Sequence, residues 1–527
     1  MKKYLIMVAS LLLSVMGWAD DKPGLVVGIT VNQFYPEWLS IYKNDLGAEG
    51  FNRIMREGKK SMADYNYLFS QTGMDQATIY TGLLPVSHGI VAHDWLDRLS
   101  GKRVNNTESE EYVEIGEGDS LKGYSPEHLQ ALSLGCMMKM NNLFSKVYSV
   151  GMNPEEVVLS GGSCADLALW FNEKSGKWVS SRYYADSLPG WVKEFNNTSA
   201  SDFFVKRGWM PLAEEEGNSL MLKLKNKVGI GSSFYYDIAQ IKRKFNTYRV
   251  LKATPYANTM VTDLAVALIA EAGLGKDNDT DLLTLNYSSL DYMNRDFGVY
   301  AKEFQDMVVR LDRDIARLLS VLDAQVGKGN YTVVLTFSEA RELLPEELER
   351  VRIQGGYFSI FKAVALLKSY LNLIYGDGNW VVDYDAGQVY LNRELIEKNK
   401  LAFKDVQDRV ADFMVEFEGV GKVLPAYSLT RNAFSGGMEQ LMQNAYSQKR
   451  SGDVMYALLP AWVPELKDRE DIYFRYSKRN KVPVYLFGAG VNGRVRKECN
   501  ITDILPTLCG LMGIPVSYTS TGESLME

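Results

Sequence analysis

The chain has 527 residues, is 46% hydrophobic and 12% aromatic, and carries a formal net charge of −7. That apolar share can bury a large core. The mild acidic excess is interspersed along the chain and argues against nucleic acid or an anionic membrane surface as a partner.

Lys2 and Lys3 precede an apolar run over 5–16, and Gly17-Trp18-Ala19 supplies the small residues at which a signal peptidase cuts. This predicts a signal peptide over 1–19 and an exported protein, periplasmic or associated with the cell envelope, with 20–527 as the mature chain. The run is short for a span of roughly 20 residues, and no later segment is apolar enough to cross a membrane.

Residues 24–31 (GLVVGITV) are apolar and β-branched and predict a buried parallel strand. Helical patterns follow over 50–58 and 71–82, a strand over 146–151, and a helix over 261–272. A strand over 281–287 (DLLTLNY), a long helix over 300–326 and a strand over 331–337 (YTVVLTF) come next. Then follow a helix over 359–375, strands within 380–392, a helix over 404–418, a strand over 483–487 (PVYLF) and a closing helix over 503–512. Strands alternating with helices predict an α/β fold, a mainly parallel sheet sandwiched by helices. The stretches at about 100–250 and about 345–480 read as a cap insertion and an α+β insertion into one body.

The three histidines, His88, His93 and His128, all lie in the first quarter of the chain, so distant segments cannot assemble a multi-histidine metal site. Cys136, Cys164, Cys499 and Cys509 can form up to two disulfides in an exported protein, and the pairing is open. In open α/β sheets functional side chains sit just past the carboxyl ends of strands. Four such places stand out: Asn32-Gln33, Thr72, 288–295 and Ser338-Glu339.

Seven segments in order carry a resemblance: LVVGITVNQ, QTGMDQATIYTGLLPVSHGIVAHDW, TPYANTMVTDLA, LLTLNYSSLDYMNRDFG, VVRLDRDIARLL, VVLTFSEA, and VPVYLFGAGV with ITDILPTLCGLMGI. Together they resemble the alkaline phosphatase superfamily, in particular the threonine-nucleophile alkaline phosphatases and the nucleotide pyrophosphatase/phosphodiesterases. The resemblance implies an alkaline phosphatase-like fold with Thr72 at the nucleophile position. In active members two zinc ions, about 4 Å apart, clamp an in-line displacement.

Carried over position by position, the metal-ligand positions hold Asn32, Asp291 and Ser338-Glu339, with Arg295 in place of a histidine. A further histidine expected at about 455–482 is absent from the sequence. His93 takes the place of a phosphate-contacting asparagine, and Asn153 and Glu155 that of a phosphate-clasping Lys and Arg. A guanidinium cannot ligate zinc, so Arg295 is expected to pair with Asp291 and Glu339.

The implied protein is a catalytically impaired pseudoenzyme with a binding or scaffolding role. Thr72 would be a vestigial nucleophile, His93, Arg295 and Ser338 would line a binding pocket, and Asp291, Glu339 and Asn32 would form a degenerate metal site. The alternative is a divergent phosphate- or sulfate-ester hydrolase using Thr72 and at most one divalent metal, zinc or another. Blander roles also fit: Thr72 as a helix N-cap, Asp291 and His93 as structural residues. No cofactor is expected for a pseudoenzyme, and any partner is expected among periplasmic or outer-membrane proteins.

Overall fold

The computed structural model describes residues 22–68, 70–116, 122–212, 234–293, 301–338, 343–385, 387–465 and 481–527. Its centre is a ten-stranded sheet. In chain order the strands are β1 (Leu25–Val31), β2 (Lys59–Asp64), β3 (Glu114–Ile115), β4 (Val147–Gly151) and β5 (Leu167–Asn172). They continue as β6 (Lys177–Ser181), β7 (Asp281–Tyr287), β8 (Tyr331–Phe337), β9 (Val482–Gly488) and β10 (Glu498–Asn500). Across the sheet they run β10-β2-β9-β8-β1-β7-β4-β5-β6-β3.

Strands buried on both faces are written as unbroken apolar runs, and β1, β7 and β8 are buried along their whole length. β1 pairs in parallel with both neighbours, and Val31 sits level with Tyr287 and Phe337. The three chains therefore leave the sheet side by side, which brings Asn32, Ser288 and Ser338 to one rim. β4 is parallel to β7, with Gly151 opposite Asn286, so the segment after Gly151 emerges at the same rim.

The sheet is mostly parallel, with antiparallel pairing where β9 meets β8 and β2 and along the β5-β6-β3 edge. β3, β4, β5 and β6 all lie within the stretch read from sequence as a cap, so that stretch extends the main sheet as well as covering it.

Four helices matter for the site: α1 (Thr72–Thr81), α2 (Pro154–Gly161), α3 (Pro255–Glu271) and α4 (Lys302–Leu322). α3 buries an apolar face and packs beside α4, whose buried Leu311, Ile315, Leu318 and Leu322 follow helical spacing. A second sheet has four strands, Val381–Asp385, Gln388–Leu391, Val454–Leu458 and Val420–Pro425, flanked by helices Ile360–Tyr375 and Phe403–Val415. Cys136 and Cys164 form a disulfide, while Cys499 and Cys509 are buried free thiols. No helix among the described residues is long and apolar enough to cross a membrane.

Candidate functional site around Thr72

Thr72 is the first residue of α1. The N-cap is Gln71, in extended conformation and without a side-chain cap bond, so Thr72 is not the cap. The helix entry is fastened by Asp75, which accepts from Tyr67 Oη at 2.6 Å and Ser70 Oγ at 2.5 Å. An acid in the first turn also suits the positive end of the helix. Thr72 Oγ1 points across the rim to Asp291 Oδ2 at 3.5 Å.

Asn32 is fully buried between two acids. Its amide nitrogen donates to Asp291 Oδ2 at 2.9 Å and to Glu156 Oε1 at 3.1 Å. One amide thus uses both its hydrogens to hold together two carboxyls that would repel if both were ionised. Burial pushes the Asp291 carboxyl up to about 7, against the hydrogen bonds from Asn32 and Thr72. Burial, then the nearby Asp291, pushes Glu156 well above the usual carboxylate range.

The network continues outward. Asn153 Nδ2 donates to Glu156 Oε1 at 2.8 Å, and Asn153 Oδ1 accepts from Lys252 Nζ at 2.9 Å and from the Tyr292 hydroxyl. Lys252, buried on the 3₁₀ turn Arg249–Ala253, also pairs with Glu173 at 2.6 Å. A cation from a distant segment thus stands beside Asn153.

Glu155, on the first turn of α2, enters from another side. Its carboxylate accepts from His93 Nδ1 at 2.9 Å, from Asn106 Nδ2 and from the backbone N–H of Gly73. The approach to α1 is so close that a Cβ on Gly73 would lie 2.1 Å from Glu155 Oε1. The His93 tautomer follows from its other neighbour. Asn105 Oδ1 accepts from Thr107 N and Glu108 N, each at 3.0 Å, which turns Asn105 Nδ2 toward His93 Nε2 at 3.1 Å. Nε2 is then the acceptor, and Nδ1 carries the hydrogen given to Glu155. Burial raises the Glu155 carboxyl, but His93, Asn106 and the Gly73 N–H outweigh it and the net shift is down.

Ser338 serves the backbone. Its N–H donates to Val31 O at 3.1 Å and its hydroxyl accepts from Gln33 N at 3.0 Å. That bond steadies Gln33, whose φ of 54° lies in the left-handed region that side chains other than glycine seldom adopt. Arg295 and Glu339 lie outside the described residues, and so does the expected ion pair between them and Asp291.

The type I phosphodiesterase/nucleotide pyrophosphatase family model matches residues 26–482. The chain belongs to that family. Alkaline phosphatase PafA of Elizabethkingia meningoseptica is 27% identical over 519 residues, covering 97% of this chain and 95% of that protein. A Myroides odoratus protein named calcium-transporting ATPase is 29% identical over 520 residues, covering 96% and 95%. A crystal structure of PafA superposes with a TM-score of 0.87 at 27% identity, covering 96% of this chain and 98% of that one. Murine ectonucleotide pyrophosphatase/phosphodiesterase 5, at 14% identity and a TM-score of 0.51, shares the fold.

For a type I phosphodiesterase-like chain the described donor set is poor in metal ligands. No group of three or more His, Cys, Asp or Glu that could hold a metal occurs among the described residues. Asn32 turns its amide nitrogen to the acids around it and keeps only the neutral carbonyl Oδ1 as a lone-pair donor. The described residues do not by themselves supply the ligands of a two-zinc centre. Asn32 Oδ1 and Asp291 Oδ1 are buried without a hydrogen-bond partner among the described residues.

The rim brings together Asn32, Thr72 and Asp291, with His93 beside them through Glu155 and Gly73. Sequence reasoning missed Glu156, Lys252, Asn105 and Asn106. Glu156 had a signal, an acid in the first turn of a helix just past a strand end. Lys252 had none, being one of several cations between 242 and 252.

Proposed function

We propose that this family member is an exported protein that no longer performs two-metal phosphoryl transfer and uses its Thr72 pocket for binding or scaffolding. One observation carries the reading: Asn32, where the family resemblance calls for an acid ligand, spends both amide hydrogens on Asp291 and Glu156. A threonine hydroxyl is a poor nucleophile unless a base or a metal activates it. Glu155 adds a negative charge where the resemblance calls for a cation that clasps phosphate. Export is supported by the pattern of residues 1–19 and by the Cys136–Cys164 disulfide, a cross-link that persists in oxidising compartments.

The test is metal content measured together with turnover of an aryl phosphate and an aryl phosphodiester. The expected result is zinc well below one ion per chain and no turnover that depends on Thr72. Stoichiometric zinc, with activity abolished by Thr72→Ala, overturns the reading.

A second reading, a divergent phosphate- or sulfate-ester hydrolase using at most one metal ion, has its own support. Thr72 Oγ1 still faces Asp291 at 3.5 Å, and Asn32 Oδ1 and Asp291 Oδ1, which have no hydrogen-bond partner among the described residues, are oxygen acceptors suited to a single hard cation. Turnover restored by one added divalent metal, and lost in Thr72→Ala, would favour it.

A further inference from the structure

Glu155 approaches the amino end of a ten-residue helix, α1, as a bound anion would. Three N–H groups converge on it: Gly73 from the helix backbone, His93 Nδ1 from the loop before Asp94, and Asn106 Nδ2 from the loop after Asn105. Each donor is fixed by partners of its own. His93 Nε2 faces Asn105, the His93 N–H donates to Gln71 Oε1, and Asn106 Nδ2 also reaches Ala92 O at 3.2 Å. The donors are therefore preorganised, and none of the three is a lysine or arginine.

Gly73 allows the contact, since a side chain there would meet the carboxylate. Glu155 is itself largely covered, with 16% of its side chain exposed, so the carboxylate is held in the pocket and does not merely brush its mouth.

We propose that Glu155 is a built-in ligand that fills an oxyanion seat formed by Gly73, His93 and Asn106, and is the residue that makes the Thr72 pocket reject free phosphate. The proposal rests on the reading of the site as one without a metal pair, and it names the ligand class that the site excludes. The carboxylate blocks the seat twice, by occupying the three donors and by repelling a second anion. The wild-type pocket accordingly selects neutral or cationic groups next to Thr72. With Glu155 gone, the same N–H groups lose their carboxylate partner and can turn to a small oxyanion.

The experiment titrates inorganic phosphate into the purified full-length mature chain, by calorimetry and ³¹P line broadening, for wild type, Glu155→Ala and Glu155→Ala/Asn106→Ala. Wild type is expected to show no saturable binding. Glu155→Ala should bind at least about tenfold tighter than the wild-type limit, and the second substitution should return binding to that limit. Glu155→Gln, which keeps the volume and removes the charge, stands in if the alanine variant does not fold, and should fall between wild type and alanine.

Histidine ¹⁵N spectra of the wild type give an independent readout: His93 should hold its proton on Nδ1 and be unmoved by phosphate. Saturable phosphate binding to wild type with a shift at His93, or no gain in any folded Glu155 variant, overturns the proposal. Because nothing here reads turnover, failure of this inference is separable from failure of the functional reading, which metal content and hydrolysis decide.

Discussion

At Asn32 the difference between an amide and an acid sets the charge state of the whole rim. Asn32→Asp would remove both hydrogens that join Asp291 to Glu156 and put a third carboxyl among them. With no metal added, the variant is expected to lose on the order of 3 kcal/mol of stability at neutral pH. It should recover part of this on acidification, because protonation relieves the crowding. Urea denaturation of both proteins across pH checks it, and an equal cost at all pH values would contradict the network described.

His88 makes a second case. Its Nδ1 accepts from Ile90 N at 3.1 Å and its Nε2 faces Thr78 Oγ1 at 3.0 Å, and burial, with Arg450 nearby, holds its pKa down at about 3. The folded state refuses a proton that the unfolded chain accepts below 6.5, so stability falls as pH drops from that value toward 3. The full loss is on the order of 5 kcal/mol. His88→Asn should start less stable and show a flatter acid limb in the same titration.

What sequence made legible here followed the residue type. Asn32 and Thr72 stand out where a strand exit or a polar turn precedes a helix. Glu156 takes its meaning from Asn32, 124 residues away in the chain, and Lys252 from Asn153, 99 residues away.

Among the elements, legibility followed burial. β1, β7 and β8 can be read because strands covered on both faces need continuous apolar runs. β2, with the sequence KKSMAD, carries no such run: Lys59 and Lys60 are exposed, and its place in the sheet comes from pairing with β9. α2 is short and begins with Pro154 and two acids, one of which, Glu156, is fully buried, so its charges mask its position in the core.

The 3₁₀ turn Arg249–Ala253 is similarly silent in sequence but delivers Lys252 to the rim. Lys252→Met would leave Glu173 without its cation and Asn153 without one donor. The expected cost is on the order of 2 kcal/mol, toward the lower end for a buried pair because Glu173 is 35% exposed. Thermal unfolding measures it, and no change in midpoint would mean that the pair contributes nothing net.

Across the whole molecule one covalent tie and two silent thiols set the redox behaviour. The Cys136–Cys164 bridge closes a sequence separation of 28, which in the chain-entropy account stabilises by about 3.5 kcal/mol. A Cys136→Ala/Cys164→Ala variant should be less stable by roughly that amount in urea unfolding. Burial pushes the Cys499 and Cys509 thiols up to about 11 and about 12, so native protein should give no prompt reaction with a thiol reagent and two equivalents once unfolded.

The level exit of β1, β7 and β8 has a wider consequence. It is enforced by side chains that point into the core and by backbone pairing, which the N–H groups of Asn32 and Ser338 carry one residue past the strands. A lineage can therefore exchange the functional groups on that ledge one at a time while the ledge itself persists. On such a ledge chemistry can change without passing through an unfolded ancestor, and shape can outlive it.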